Sequence, residues 1–148
     1  MAFKTVVVTL HHIKNDNTGD DPGTALEVFG RFDVLRFAFN PDIGEIVTIE
    51  SFNLFDKSGN DAVAIDQGSK FPLNSRCEFQ ILSGEFLQIT GHLGEQDVIG
   101  ENDPLGSIDF RIPFDDIETE ALLFPFQGGD QRVSVKMSTL LTAQGSGI

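Results

Sequence analysis

Apolar residues recur at every second position through most of the chain. In RVSVKMSTLL, Val133, Val135, Met137, Thr139 and Leu141 share one parity, and Arg132, Ser134, Lys136 and Ser138 share the other. SIDFRIPF sets Ile108, Phe110 and Ile112 against Asp109 and Arg111. FLQITGHL sets Leu87, Ile89, Gly91 and Leu93 against Gln88, Thr90 and His92. A period of two belongs to a strand with one dry face and one wet face. FKTVVVTLHHI, LEVFGRFDVLRFAF, EIVTIESFNLF, DAVAI and RCEFQIL predict further strands. In the second of these, Val28, Phe32 and Val34 lie on one face, then Leu35, Phe37 and Phe39 on the other. A bulge near Val34, or a strand passing from one sheet to another, is the expected cause.

Turn-forming stretches separate these runs: NTGDDPG, NPDIGE, DKSGND, LSGE and FQGGDQ. Only FDDIETEALLF predicts a helical turn or two, capped by Asp115 or Asp116. About eight short strands with turns between them predict an all-β chain, an antiparallel eight-stranded β-sandwich. The 148 residues suit a single domain over 1–148 with one core. No run approaches the roughly 20 apolar residues of a spanning helix. MAFKTVVVTL reads as a first strand and not as a signal peptide, because no small-residue cleavage site follows it.

Charge narrows the function. With 23 acids against 10 bases, the formal charge is −13. That balance argues against nucleic acid, which needs a Lys/Arg footprint, and against adhesion to anionic lipid by basic charge alone. It suits hard cations, and it also keeps a protein soluble. Cys77, the one cysteine, sits in a predicted strand and reads as a small buried hydrophobe. The 14 Phe, in a chain with no Trp or Tyr, are good filling for a β core.

The acids cluster in two loops. GEQDVIGENDPLGS, between two predicted strands, carries Glu95, Asp97, Glu101 and Asp103. Positions two apart in a fraying strand point the same way, so Glu95 and Asp97 aim at one point, and Asp103 returns on the far side. Three hard oxygen donors around one space are what Ca²⁺ takes, whereas Mg²⁺ demands tighter geometry and gives up water reluctantly. The earlier loop, KNDNTGDDPGTALEVFG, holds Asp16, Asp20, Asp21 and Glu27. Val98 and Ile99 stand at the expected tip of the later loop, where an apolar pair wedges into a membrane surface or folds back on the rim. His11 and His12 end the first strand, one expected to pack inward and one to face solvent. His92 is placed to hydrogen-bond an acid of the later loop. No nucleophile elbow, phosphate loop or aromatic sugar platform accompanies these groups, so the chain is expected not to be an enzyme.

The two loops resemble the calcium-binding loops of the C2 domain family. Its third loop reads Asp-x-Asp, five residues, Asp, two residues, Gly and a strand. Here Glu95-Gln96-Asp97, five residues, Asp103, Pro104-Leu105-Gly106 and SIDFRIP stand in that order. Its first loop reads Asp, five residues, Asp, then a residue, an aromatic and a strand. Here Asp21, five residues, Glu27, Val28, Phe29 and GRFDV follow. Glu replaces the usual Asp at 27 and 95, and the family's common basic strand patch is missing. The resemblance implies a C2-like sandwich in the family's circularly permuted arrangement, with the last strand completing the first sheet. It implies Ca²⁺ held by Asp21, Glu27, Glu95, Asp97 and Asp103, with Asp16 and Asp20 in reserve, and Gly106 allowing the turn into the next strand. It also implies Ca²⁺-dependent attachment to a membrane phospholipid or a protein partner. The rival expectation is a structural, assembly or toxin-associated sandwich whose acidic loops only stiffen with Ca²⁺ or bind nothing.

Overall fold

In the computed structural model, residues 1–19, 25–96 and 102–146 are described. They form nine strands: β1 (Ala2–Asn17), β2 (Ala25–Asn40), β3 (Glu45–Lys57), β4 (Val63–Asp66), β5 (Lys70–Leu82), β6 (Glu85–Glu95), β7 (Asp103–Pro113), β8 (Glu120–Gly128) and β9 (Gln131–Ser146). One sheet has the order β5-β1-β9-β8; the other has β3-β2-β6-β7, with β4 also pairing β2. All pairings are antiparallel. The two sheets face each other as a β-sandwich, and the last strand, β9, completes the sheet of the first. No helix among the described residues is long and apolar enough to cross a membrane.

Alternation builds the core. Val6, Val8, Leu10 and Ile13 of β1, with Val133, Val135 and Met137 of β9, line one inner face. Leu26, Val28, Phe32 and Val34 of β2, with Leu87 and Ile89 of β6, line the other. Each such side chain contributes about 1.5–3 kcal/mol when fully buried. Phe32 is the centre: Phe126 meets it edge-on at 5.8 Å and Phe55 tilts against it at 6.4 Å. Gly30, two residues earlier, has φ +149°, and a Cβ there would collide with the carbonyl oxygen of His92 on the adjacent strand. The close approach of β2 and β6 thus needs a residue without a side chain.

Two expectations change. The stretch read as a helical turn or two keeps only a single 3-10 turn, Phe114–Asp116, entered from Pro113 with no side-chain cap. The rest is β8, a ninth strand, with Leu122, Phe124 and Phe126 inward. The phase change in β2 is not a bulge in that strand. From Val28 to Ala38 β2 pairs with β6 without a shift, and the extra residues, Ile49 and Leu54, belong to β3. Phe37 instead lies on the outer face, buried there under the stacked ring of Phe86 at 5.0 Å and the guanidinium of Arg111 at 5.5 Å.

Candidate functional site

One end of the sandwich gathers the acidic loops. Glu95, the last residue of β6, stands opposite Val28 of β2 on one side and Asp103 of β7 on the other. The Gln96 amide donates to the Glu27 carbonyl at 2.8 Å, so both loops leave from adjacent strand ends. The β4–β5 turn joins them: the Thr18 amide donates to Gln67 Oε1 at 3.0 Å, and the Gly68 amide to the Asn15 carbonyl at 2.7 Å. The described ends of the two stretches, Asn17 and Ala25 for one and Glu95 and Asp103 for the other, therefore lie at one pole.

Alternation decides where the acids point. Glu95 follows Leu93 on the inner side of its sheet and is 1% exposed, although its strand ends there. Asp103, directly opposite, belongs to the same side but is exposed at the rim. Glu27 precedes the buried Val28, so it lies on the outer side of that sheet, with its backbone beside Glu95 and its side chain on the other face. Asp16 follows the buried Asn15 and points off the outer face of the other sheet, 3.8 Å from Lys14 Nζ. Asp20, Asp21 and Asp97, with the apolar tip Val98 and Ile99, fall outside the described residues. Among the described residues, no three His, Cys, Asp or Glu side chains group closely enough to hold a metal ion.

Asp130, in the β8–β9 turn, was not singled out by its sequence context. Its carboxylate lies against Gly19, where an added Cβ would come within 2.5 Å of Oδ1. It therefore borders the point where the chain passes into 20–24. Recognising β8 as a strand was the signal that would have found it, because the turn after β8 falls at the acidic end.

Beside Asp103 the surface dips into an open, mostly apolar cup of about 380 Å³, lined by Phe29, His92, Leu93, Pro104 and Ser107. The Phe29 ring lies over Gly94, which leaves it room. Leu105 is the extra residue where β7 shifts register against β6, and it turns inward. Gly106 follows it with φ +132°, a conformation that side chains rarely adopt, so the bulge depends on this glycine. His92 shares the cup with Asp103. The other two histidines correct an expectation. The shift between Leu10 and His12 makes His11 an extra residue in β1, and neither ring packs inward. His11 Nε2 instead meets Ser138 Oγ at 2.6 Å on the outer face.

Neither a protein-family model nor a curated protein matches the chain. Among solved structures, it is similar to the C2A domain of plant extended synaptotagmin 1, at a TM-score of 0.44 and 11% identity, over 95% of this chain and 96% of that one. It is also similar to human GIVD cytosolic phospholipase A2 in complex with methyl gamma-linolenyl fluorophosphonate, at a TM-score of 0.47 and 12% identity. That similarity covers 95% of this chain and 17% of the phospholipase. A third similarity is to the Cry23Aa1 and Cry37Aa1 binary protein complex, at a TM-score of 0.37 and 16% identity, over 99% of this chain and 100% of that one.

Proposed function

We propose that the chain is a calcium-binding module that attaches to a membrane surface or a protein partner through the acidic end. The supporting observation is the row Val28–Glu95–Asp103 across three neighbouring strands, with the later acidic stretch leaving from it and the earlier one entering β2 three residues before Val28. Hard oxygen donors are the chemistry of this rim, and Ca²⁺ accepts them in loose geometry from several loops. Glu95, Asp97 and Asp103 would hold it from one loop, with Asp20 and Asp21 from the other. Glu27 and Asp16, whose side chains lie on outer faces, stand apart from that set. Ca²⁺ would supply positive charge with open coordination positions for an anionic group of the partner. The role proposed is binding.

The test is the melting temperature by calorimetry in millimolar Ca²⁺ against chelator, followed by liposome sedimentation. A ligand at about 100 times its Kd adds about 2.7 kcal/mol to stability. The expected result is a rise that Glu95→Gln and Asp103→Asn each reduce, with pelleting that requires Ca²⁺. A melt indifferent to Ca²⁺ overturns the reading.

A structural or assembly role is the second reading, favoured by one feature at the other end. Phe39 and its ladder partner Ile46 are exposed at the β2–β3 hairpin, as is Ile43 in the turn between them. Stabilisation by Ca²⁺ without pelleting, with self-association that Ile43→Ser and Ile46→Ser abolish, is its signature.

A further inference from the structure

The outer face of the β5-β1-β9 layer collects positive charge that the sequence scatters. Lys14 of β1 lies opposite Lys70 of β5 and Ser134 of β9, and His12 lies opposite Lys136 of β9. Residues opposite each other in an antiparallel ladder have Cβ atoms about 4.5–5.5 Å apart. The extra residue in β1 adds His11, held against the Ser138 hydroxyl at 2.6 Å. Arg76, opposite Thr9, extends the same face. Two acids share it: Asp16, 3.8 Å from Lys14, and Glu78, opposite Val7. An exposed pair at that distance neutralises little.

The contrast with the other bases is informative. Arg31 pairs with Asp33 and Asp56, Arg36 with Glu50 and Glu85, and Arg111 with Asp109. Lys4 donates to the carbonyls of Phe114 and Ile117. Among the described residues, Lys70, Arg76, Arg132 and Lys136 on this face have no carboxylate partner, and neither has Lys57 elsewhere, in a chain with more than twice as many acids as bases. Like charges set directly opposite in a ladder destabilise it, and an anion between them removes that cost. The field there is felt by the ring at its centre. Burial first, then Lys70, Lys136, His11 and Lys14, lower the proton affinity of His12 below the ordinary histidine range.

We propose that Lys14, Lys70, Lys136, His11, His12 and Ser138 bind a phosphomonoester dianion. Three lysines on three neighbouring strands, within two register positions of one another, bring several ammonium donors to one stretch of the face, which suits a compact doubly charged oxyanion better than a carboxylate. An extended nucleic acid fits poorly. It would run beyond the patch, more than a Debye length of about 8 Å, into the field of a strongly acidic protein. The donor comes either from a lipid headgroup or from a free phosphate. This site is on a different sheet face from the acidic loops and does not rest on their reading.

The full chain is titrated in chelator, so that calcium plays no part. Glycerol phosphate is the free probe. Phosphatidylcholine vesicles with roughly one lipid in ten as phosphatidic acid are the lipid probe, against vesicles carrying phosphatidylserine at the same fraction. The readouts are the imidazole NMR titration of His12 and vesicle sedimentation. A raised His12 pKa with glycerol phosphate supports a soluble ligand. Pelleting with phosphatidic acid above that with phosphatidylserine supports a lipid headgroup. Lys70→Gln with Lys136→Gln, both exposed positions, is expected to weaken either signal about tenfold or more, and Lys57→Gln to leave it unchanged. The proposal is overturned if neither probe moves His12 or pellets the chain at about 0.1 M salt. It is equally overturned if the double variant binds as the parent does.

Discussion

Arg36 grips Glu85 with two nitrogens, Nε at 2.8 Å from Oε1 and Nη2 at 3.2 Å from Oε2. The same guanidinium donates to Glu50 at 3.0 Å, and Glu85 Oε1 also accepts the Leu82 amide at 2.7 Å. Three strands and a turn are tied at the end of the sandwich away from the acidic loops. Glu85→Ala would leave a largely buried cation and an amide short of an acceptor. The expected cost is about 2–4 kcal/mol. Urea denaturation measures it, and Glu50→Ala, on the more exposed arm, is expected to cost about 1 kcal/mol or less.

Gly30→Ala meets two obstacles at once, a φ of +149° and the carbonyl oxygen of His92. The β2–β6 pairing has to open locally to admit the methyl. A loss of roughly 2–4 kcal/mol is expected, because both partners in the clash are backbone. Gly84, whose added Cβ would meet nothing within 4 Å but whose φ is +88°, is expected to lose only about 1 kcal/mol on the same change. Paired thermal melts of the two variants check the difference.

Stability is expected to depend on His12 near neutral pH. Burial and the surrounding cations lower its folded pKa below 6.5. As pH falls from above 6.5, the unfolded ring gains a proton before the folded one does. Unfolding is therefore favoured through the window from 6.5 down to the folded pKa, and stability rises with pH across it. His12→Gln should flatten that part of the profile. The groups facing the ring are Lys14, Lys70, Lys136, His11 and the Ser138 hydroxyl near His11. Phosphate bound among them is expected to reverse the sign. Denaturant midpoints between pH 5 and 8 check both statements.

Cys77 is 8% exposed, and burial, with Glu50 adding to it, pushes its thiol up to about 12. The thiolate is the reactive form. The native protein should resist alkylation at pH 8 and label fully once unfolded. Brisk labelling of the native protein, followed by mass spectrometry, would contradict this placement.

Period two in the sequence revealed most of the fold, because a half-buried strand writes its two faces directly into residue order. It failed at β8, where Leu122, Leu123, Phe124, Pro125 and Phe126 run together and the outward Leu123 and Pro125 hide the alternation. The nearness of the two acidic stretches was an expectation that came with the resemblance to the C2 loops, and their described ends do meet at one pole. The outward side of Glu27 was legible from residue order, since it adjoins Val28. The two histidines were misread because one extra residue in β1 puts neither ring in the core, and a ladder shift leaves no mark in a single strand. Pairing between distant strands is also invisible there. Lys14, Lys70 and Lys136 are neighbours only through register, so an overall negative charge concealed a local positive face.

That face has a consequence at long range. Lys14, Lys70, Arg76 and Lys136 share one sheet face, while Glu95, Asp103 and Asp130 lie at one pole, so the molecule bears its charge unevenly. An approaching charged wall would exert a torque on it before any atoms touch, turning the basic side toward a negative wall and the acidic tip away. Adding salt would weaken this pre-alignment well before it dissociated a formed contact.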